Sequence, residues 1–182
     1  MRAREEPASD EPRDAGRDPD ADPVDVARTI VLDRLTMRAH TRQELAQVLA
    51  KKNVPSDAAD HVLTRMEEVG LIDDAAFAES WVESRQQRRH LSKRALRMEL
   101  QRKGVDRDEV DAALDQVDRS DEREAAEALA RKKVRTMARL EPHVRRRRLA
   151  GALARRGFGS DVVSDVLREV LEGDGDDDFW VS

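Results

Sequence analysis

The chain matches itself twice. Leu45, Leu49, Asn53, Val54 and Leu63 recur 51 residues later as Leu96, Leu100, Gly104, Val105 and Leu114. They recur again, 53 residues further on, as Leu149, Leu153, Gly157, Phe158 and Leu167. Self-similarity at such a spacing predicts a tandem array, in which each unit buries its apolar face with help from its neighbours. The matched positions have a physical meaning. Two leucines four apart lie on one face of a helix, Asn or Gly supplies the left-handed residue that ends it, and the following Val or Phe folds back on it. Pro55 and Ser56, Asp106, or Ser160 then open the next helix.

A further helical stretch precedes each pair, so the sequence predicts an all-α fold: an elongated, curved array of three three-helix repeats. The helices are expected at about 24–39, 41–52 and 56–69; 74–89, 92–103 and 107–117; 121–138, 142–156 and 160–172, with ends uncertain by about 2–4 residues. Repeat 1 spans 24–72, repeat 2 spans 73–118 and repeat 3 spans 119–172. Capping-box spacing joins Thr41 to Glu44, Asp106 to Glu109, and Asp121 to Glu124. At the first boundary, Gly70 ends a helix, Leu71 and Ile72 are expected to be buried, Asp73 or Asp74 to cap the next helix, and Phe77 and Trp81 to face inward. Met37, Met66, Met98 and Met137 read as core.

Charge is distributed unevenly. The formal net charge is −5, yet residues 1–25 carry −5 and residues 172–182 another −5, leaving +5 on the body. Residues 1–23 and 173–182 read as acidic, disordered tails with little to bury. Phe179 and Trp180 are the exception in the second. Such tails can compete with an anionic ligand for a basic body.

Several function classes are excluded or disfavoured. The chain has no cysteine, which removes disulfides and thiolate metal sites and fits a reducing compartment. The cytoplasm is therefore expected, with no apolar run near the ~20 residues of a membrane span. Aromatic residues make up 3% of the chain, too few for a ring-lined pocket. His40, His61, His90 and His143 are scattered and read as helix-terminal or surface residues, so no metal is expected. Phosphate-binding glycine loops are absent, and neither a cofactor nor a catalytic group is expected. Asp73 and Asp74 suit a helix start better than acid/base chemistry.

The segment "GLIDDAAFAESWVESRQQRRHLSKRALRMELQRKGV", residues 70–105, resembles the core signature of the RecX family, bacterial regulators of the RecA recombinase. Its marks are Gly70, Asp73, Asp74, Phe77, Trp81, Arg85 and Lys103-Gly104-Val105. "HTRQEL" at 40–45 and "ARRGF" at 154–158, with Gly157, resemble the flanking repeats. Coverage is about residues 26–172. Where the family usually has glycines, this chain has "RRHLS" at 88–92, with Ser92 still able to cap a helix. The resemblance implies three tandem three-helix repeats and a non-enzymatic regulator, acting in recombination, DNA repair and the SOS response. It would bind the RecA–DNA filament and restrain ATP hydrolysis, strand exchange and filament growth.

The residues expected to carry such contacts are basic. From Arg85 to Arg107, nine Lys or Arg face only Glu99 and Asp106, and from Arg131 to Arg156 eleven bases face only Glu141. The candidate contacts are Arg85, Arg88, Arg89, Lys93, Arg94, Arg97 and Lys103, then Lys132, Lys133, Arg145, Arg146, Arg147 and Arg148. Arginine's planar fork suits phosphate and carboxylate alike. Partners are thus a RecA filament and DNA, weakly alone, with the protein itself a monomer. The competing reading is a sequence-tolerant DNA-binding protein with helix-turn-helix-like units.

Overall fold

The computed structural model describes residues 22–172, and the expected acidic tails lie almost wholly outside them. The described residues form α-helices in three successive triplets, with no strand among them. Repeat 1 holds α1 (Pro23–Met37), α2 (Arg42–Lys51) and α3 (Ser56–Glu68). Repeat 2 holds α4 (Asp74–Arg89), α5 (Lys93–Arg102) and α6 (Arg107–Asp115). Repeat 3 holds α7 (Arg119–Val134), extended by a 3-10 turn at Arg135–Met137, then α8 (Pro142–Arg155) and α9 (Ser160–Glu172).

Each repeat closes its own core. Leu45, Leu49 and Leu63 pack with Val31, Val62 and Met66; Leu96, Leu100 and Leu114 pack with Phe77, Ala78 and Val110; Leu149, Leu153 and Leu167 pack with Leu129, Phe158 and Val166. The substantial helix packings all fall within one repeat, so the repeats are separate cores strung along the chain.

The turn after each middle helix is the same. Val54, Val105 and Phe158 donate their N–H to the carbonyls of Leu49, Leu100 and Leu153, and Asn53, Gly104 and Gly157 have φ of 58°, 80° and 87°. This is the left-handed helix stop that the repeated Asn/Gly position predicts.

Local corrections have identifiable causes. Helix α7 begins at Arg119, because the reciprocal capping box forms between Asp118 and Asp121 instead of Asp121 and Glu124. Asp106 caps α6 by accepting from the Asp108 N–H, not from Glu109. Leu71 is half exposed while Ile72 is buried: the turn closed by Gly70 aims the first side chain out and the next in. Of the methionines, Met66 is buried, but Met37 is 83% exposed and Met98 44% exposed, and unbranched Met tolerates either setting. In "RRHLS" His90 itself takes the left-handed conformation, φ 49°, doing what a glycine would do more cheaply.

Candidate interaction surface

Two joints hold the repeats together, and they are built alike. At the first, the Thr41 hydroxyl accepts from the Glu44 N–H at 3.1 Å, capping α2, and donates to the Lys103 carbonyl at the end of α5, 2.6 Å away. Asp74, in the first turn of α4, accepts from the Arg42 N–H at 2.9 Å. At the second, Ser92 caps α5 by accepting from the Ala95 N–H at 3.1 Å, and its own N–H donates to the Arg156 carbonyl at the end of α8. Glu122 of α7 accepts from the Lys93 N–H at 3.2 Å. In both cases the amino end of one middle helix meets the carboxyl end of the next, bringing opposite ends of the two helix dipoles together. Thr41 and Ser92 are fully buried there.

These contacts give the aspartate pair its role. Asp73 caps α4 by accepting from the Ala76 N–H at 2.8 Å, and Asp74 fastens the joint. The cleft they border, about 730 Å³, is also lined by Arg42, Gln43, Glu67, Asp106 and Glu109. Burial raises the pKa of Asp74 and of Glu109, and neighbouring carboxylates add to it: Glu67 and Asp73 for Asp74, Asp74 and Asp106 for Glu109. Among the described residues no group of three or more His, Asp or Glu is placed to hold a metal ion.

The signature aromatics form a second structure at the first joint. Phe77 and Trp81 stack with centroids 5.5 Å apart. The Arg85 guanidinium lies over the indole at 3.9 Å and the Lys103 ammonium at 4.2 Å. Glu99 accepts from both the Trp81 Nε1–H and the Arg85 Nε–H, while Lys103 pairs with Glu44 across the joint at 2.5 Å. Burial opposes ionisation of Glu44, but hydrogen bonds from Lys103 and Arg38 outweigh it and hold the carboxyl below its ordinary range. Beside it His40 is buried, and burial, reinforced by Arg38, lowers its pKa despite Glu44.

The candidate contact residues therefore divide. Arg85 and Lys103 are engaged as above, Arg97 pairs with Asp111 at 2.5 Å, and the Lys93 ammonium donates to the Val117 carbonyl at 3.3 Å. Arg145 is half-buried. By contrast Arg88, Arg89, Arg94, Lys132, Lys133, Arg146, Arg147 and Arg148 are exposed, with no ion pair among the described residues. The second joint draws the two basic clusters together. The Arg156 guanidinium donates to the Arg89 carbonyl at 2.5 Å, and burial together with Lys132 and Arg156 lowers the pKa of His90. Sequence alone did not separate paired from unpaired cations, because their partners lie 14 or more positions away, as Glu99 does from Arg85, Asp111 from Arg97 and Glu44 from Lys103.

Residues 27–66, 73–114 and 121–167 match, in order, the first, second and third three-helix domains of RecX. The regulatory protein RecX of Streptomyces coelicolor is 46% identical over 160 residues, spanning 88% of this chain and 85% of that protein. The chain belongs to the RecX family. The regulatory protein RecX of Thermobifida fusca is 42% identical, over 82% of this chain and 80% of its own length. A crystal structure of a regulatory protein RecX superposes with a TM-score of 0.73 at 26% identity, covering 80% of this chain and 73% of that one. RecX from Lactobacillus salivarius shares the fold, with a TM-score of 0.72 at 20% identity over 81% and 96% of the two chains. The Streptomyces coelicolor and Thermobifida fusca relatives are regulatory proteins, and among the described residues of this chain no helix is long and apolar enough to cross a membrane.

Proposed function

We propose that this RecX-family chain is a non-enzymatic negative regulator of RecA, acting as a monomer in the cytoplasm. It binds the RecA–DNA filament and restrains ATP hydrolysis, strand exchange and filament growth. The observation that carries this reading is the sorting of charge: Arg85 and Lys103 at the first joint are paired, while Arg88, Arg89, Arg94, Lys132, Lys133, Arg146, Arg147 and Arg148 stand exposed with no ion pair among the described residues. An array of separate cores can lay such a face along neighbouring protomers, where several weak contacts combine through effective concentration. Asp73 and Asp74 serve the fold, which supports a role without catalysis.

The test is RecA's single-strand-dependent ATPase with this protein titrated in, alongside binding to the same DNA without RecA. Inhibition well below one molecule per RecA, with weak binding to bare DNA, is the expected outcome. If ATPase loss simply follows tight, steeply salt-dependent binding to naked DNA, competition for the strand explains it and the protein is a sequence-tolerant DNA binder.

A further inference from the structure

The geometry points to a phosphate seat across the second joint, formed by His90, Lys132 and Arg156, that takes the backbone of a nucleic-acid strand. The inference rests on reading the basic face as the partner-binding surface. It goes further by naming the groups that hold the partner and the proton that moves with it.

Three helices bring their carboxyl ends to this point. His90 follows α4, Lys132 lies in the last turn of α7, and Arg156 follows α8. Two of the carbonyls gathered here are satisfied inside the joint: that of Arg156 accepts from the Ser92 N–H, and that of Arg89 from the Arg156 guanidinium. The second bond anchors the guanidinium and uses one of the five N–H donors an arginine carries. Lys132 is exposed and Arg156 half-buried, and neither has an ion pair among the described residues. The first joint differs, since there Glu44 neutralises Lys103.

His90 is the unusual member. It is half-buried, and its φ of 49° is one that a residue with a side chain seldom adopts. Backbone strain kept in this way often marks a functional position. The imidazole borders a cleft of about 240 Å³ between α4 and α7. Burial, and then the charges of Lys132 and Arg156, keep its pKa below the ordinary 6.5, so it is neutral in the free protein at neutral pH. The acids lining the cleft stand toward the start of α7. Asp121 is held by the Asp118 N–H, and Glu124 precedes Lys132 by about 12 Å along the helix axis. Of the other charged groups around the joint, Glu122 is held by the Lys93 N–H and Lys93 by the Val117 carbonyl, while Arg88, Arg89 and Arg155 add positive charge.

An anion seated here cancels both cations and accepts a hydrogen bond from a protonated imidazole, so binding takes up a proton. Affinity then rises as pH falls through the bound-state pKa and levels off below the free-state value. Each unit by which the anion raises that pKa is worth about tenfold in affinity. Donors arriving from three helices suit the tetrahedral oxygens of a phosphate, whereas a carboxylate's two oxygens are met by one planar fork. A strand also repeats its charge, which lets the exposed Lys133, Arg146, Arg147 and Arg148 add further phosphate contacts.

The experiment uses the full chain at low salt, with far-UV circular dichroism checking that the helices persist at each pH. A labelled oligothymidylate should bind about tenfold more tightly at about pH 5.5 than at about pH 8. His90→Asn, whose new side chain tolerates the left-handed turn, should lose that slope, and His90→Gly, which relaxes the turn, should lose it equally. A slope that survives in both variants overturns the proposal. In NMR titrations of the four histidines, saturation with the oligonucleotide should move the His90 pKa upward and leave that of His61 in place. A stationary His90 also overturns it.

Two further comparisons separate the seat from the face. Lys132→Gln should weaken binding several-fold. If Lys132→Gln and the joint variant Arg146→Gln, Arg147→Gln, Arg148→Gln both bind like the parent, the basic face is not the partner surface and the underlying reading fails with the seat. If they bind more weakly while His90→Asn keeps the slope, the face stands and the seat alone fails. An acidic peptide of equal charge that moves the His90 pKa as far as the oligonucleotide does would assign the seat to protein carboxylates and overturn the nucleic-acid strand as its occupant.

Discussion

Glycine stands at 104 and 157 for a reason absent at 53. All three positions are left-handed, but a Cβ at 104 would overlap the Gln43 side chain, and one at 157 the Ser92 hydroxyl and the Ala95 methyl. Asn53, by contrast, is exposed. Gly104→Ala and Gly157→Ala should therefore cost the ~1–2 kcal/mol of a left-handed residue plus the cost of displacing the joint. Asn53→Ala should cost less than either, as urea midpoints will show. The repeat register announced all three stops in the sequence, but only the fold explains why one of them tolerates a side chain. His90 is the counter-case. Its left-handed turn was hidden in "RRHLS", since a histidine in that conformation carries no local signal beyond the serine that caps the next helix.

Capping decides how the middle helices begin and, through the same atoms, how the repeats join. Thr41→Ala should cost about 1 kcal/mol for the lost cap and a further ~1 kcal/mol for the lost bond to Lys103. Ser92→Ala loses only the cap, because its contact across the joint is made by the backbone N–H. Thermal unfolding of the two variants should rank them so. The buried His40, in the turn leading into α2, adds a pH dependence. Its folded pKa lies below the ordinary 6.5, so the unfolded chain takes up the proton first as pH falls. Stability is fully present above 6.5 and is lost below it, until the folded histidine is itself protonated. His90 acts in the same direction. His40→Gln should flatten that slope in part, and adding His90→Asn should flatten it further. Helix order was legible from periodicity and caps; the first turn of α7 was not, because Asp118 and Asp121 offer the same chemistry as Asp121 and Glu124.

Across the whole molecule, apolar contacts hold each repeat and polar contacts hold the repeats together. Leu100→Ala or Leu153→Ala should cost ~2–5 kcal/mol by opening a fully buried site, read from denaturant unfolding. The charge variants should separate in the other direction. Arg146→Gln with Arg147→Gln and Arg148→Gln should leave unfolding unchanged and weaken inhibition of the RecA ATPase. Arg85→Gln should lower stability by roughly 1–2 kcal/mol through its lost contacts with Trp81 and Glu99 and affect inhibition less. Composition showed where the cations are in the chain but not which of them the fold consumes, since Glu44 reaches Lys103 across 59 positions.

The two joints reuse one set of parts in one register, which gives the array a grammar of addition. A unit placed ahead of repeat 1 would need its own Ser or Thr at the start of its middle helix and, in the present chain, glycine in place of Asn53. The opposite end is punctuated differently. Helix α8 begins with Glu141 and Pro142, without a side-chain cap, and runs 14 residues where α2 and α5 run 10. The sentence can be lengthened from its beginning by a single residue change, whereas at its end the word itself would have to be rewritten.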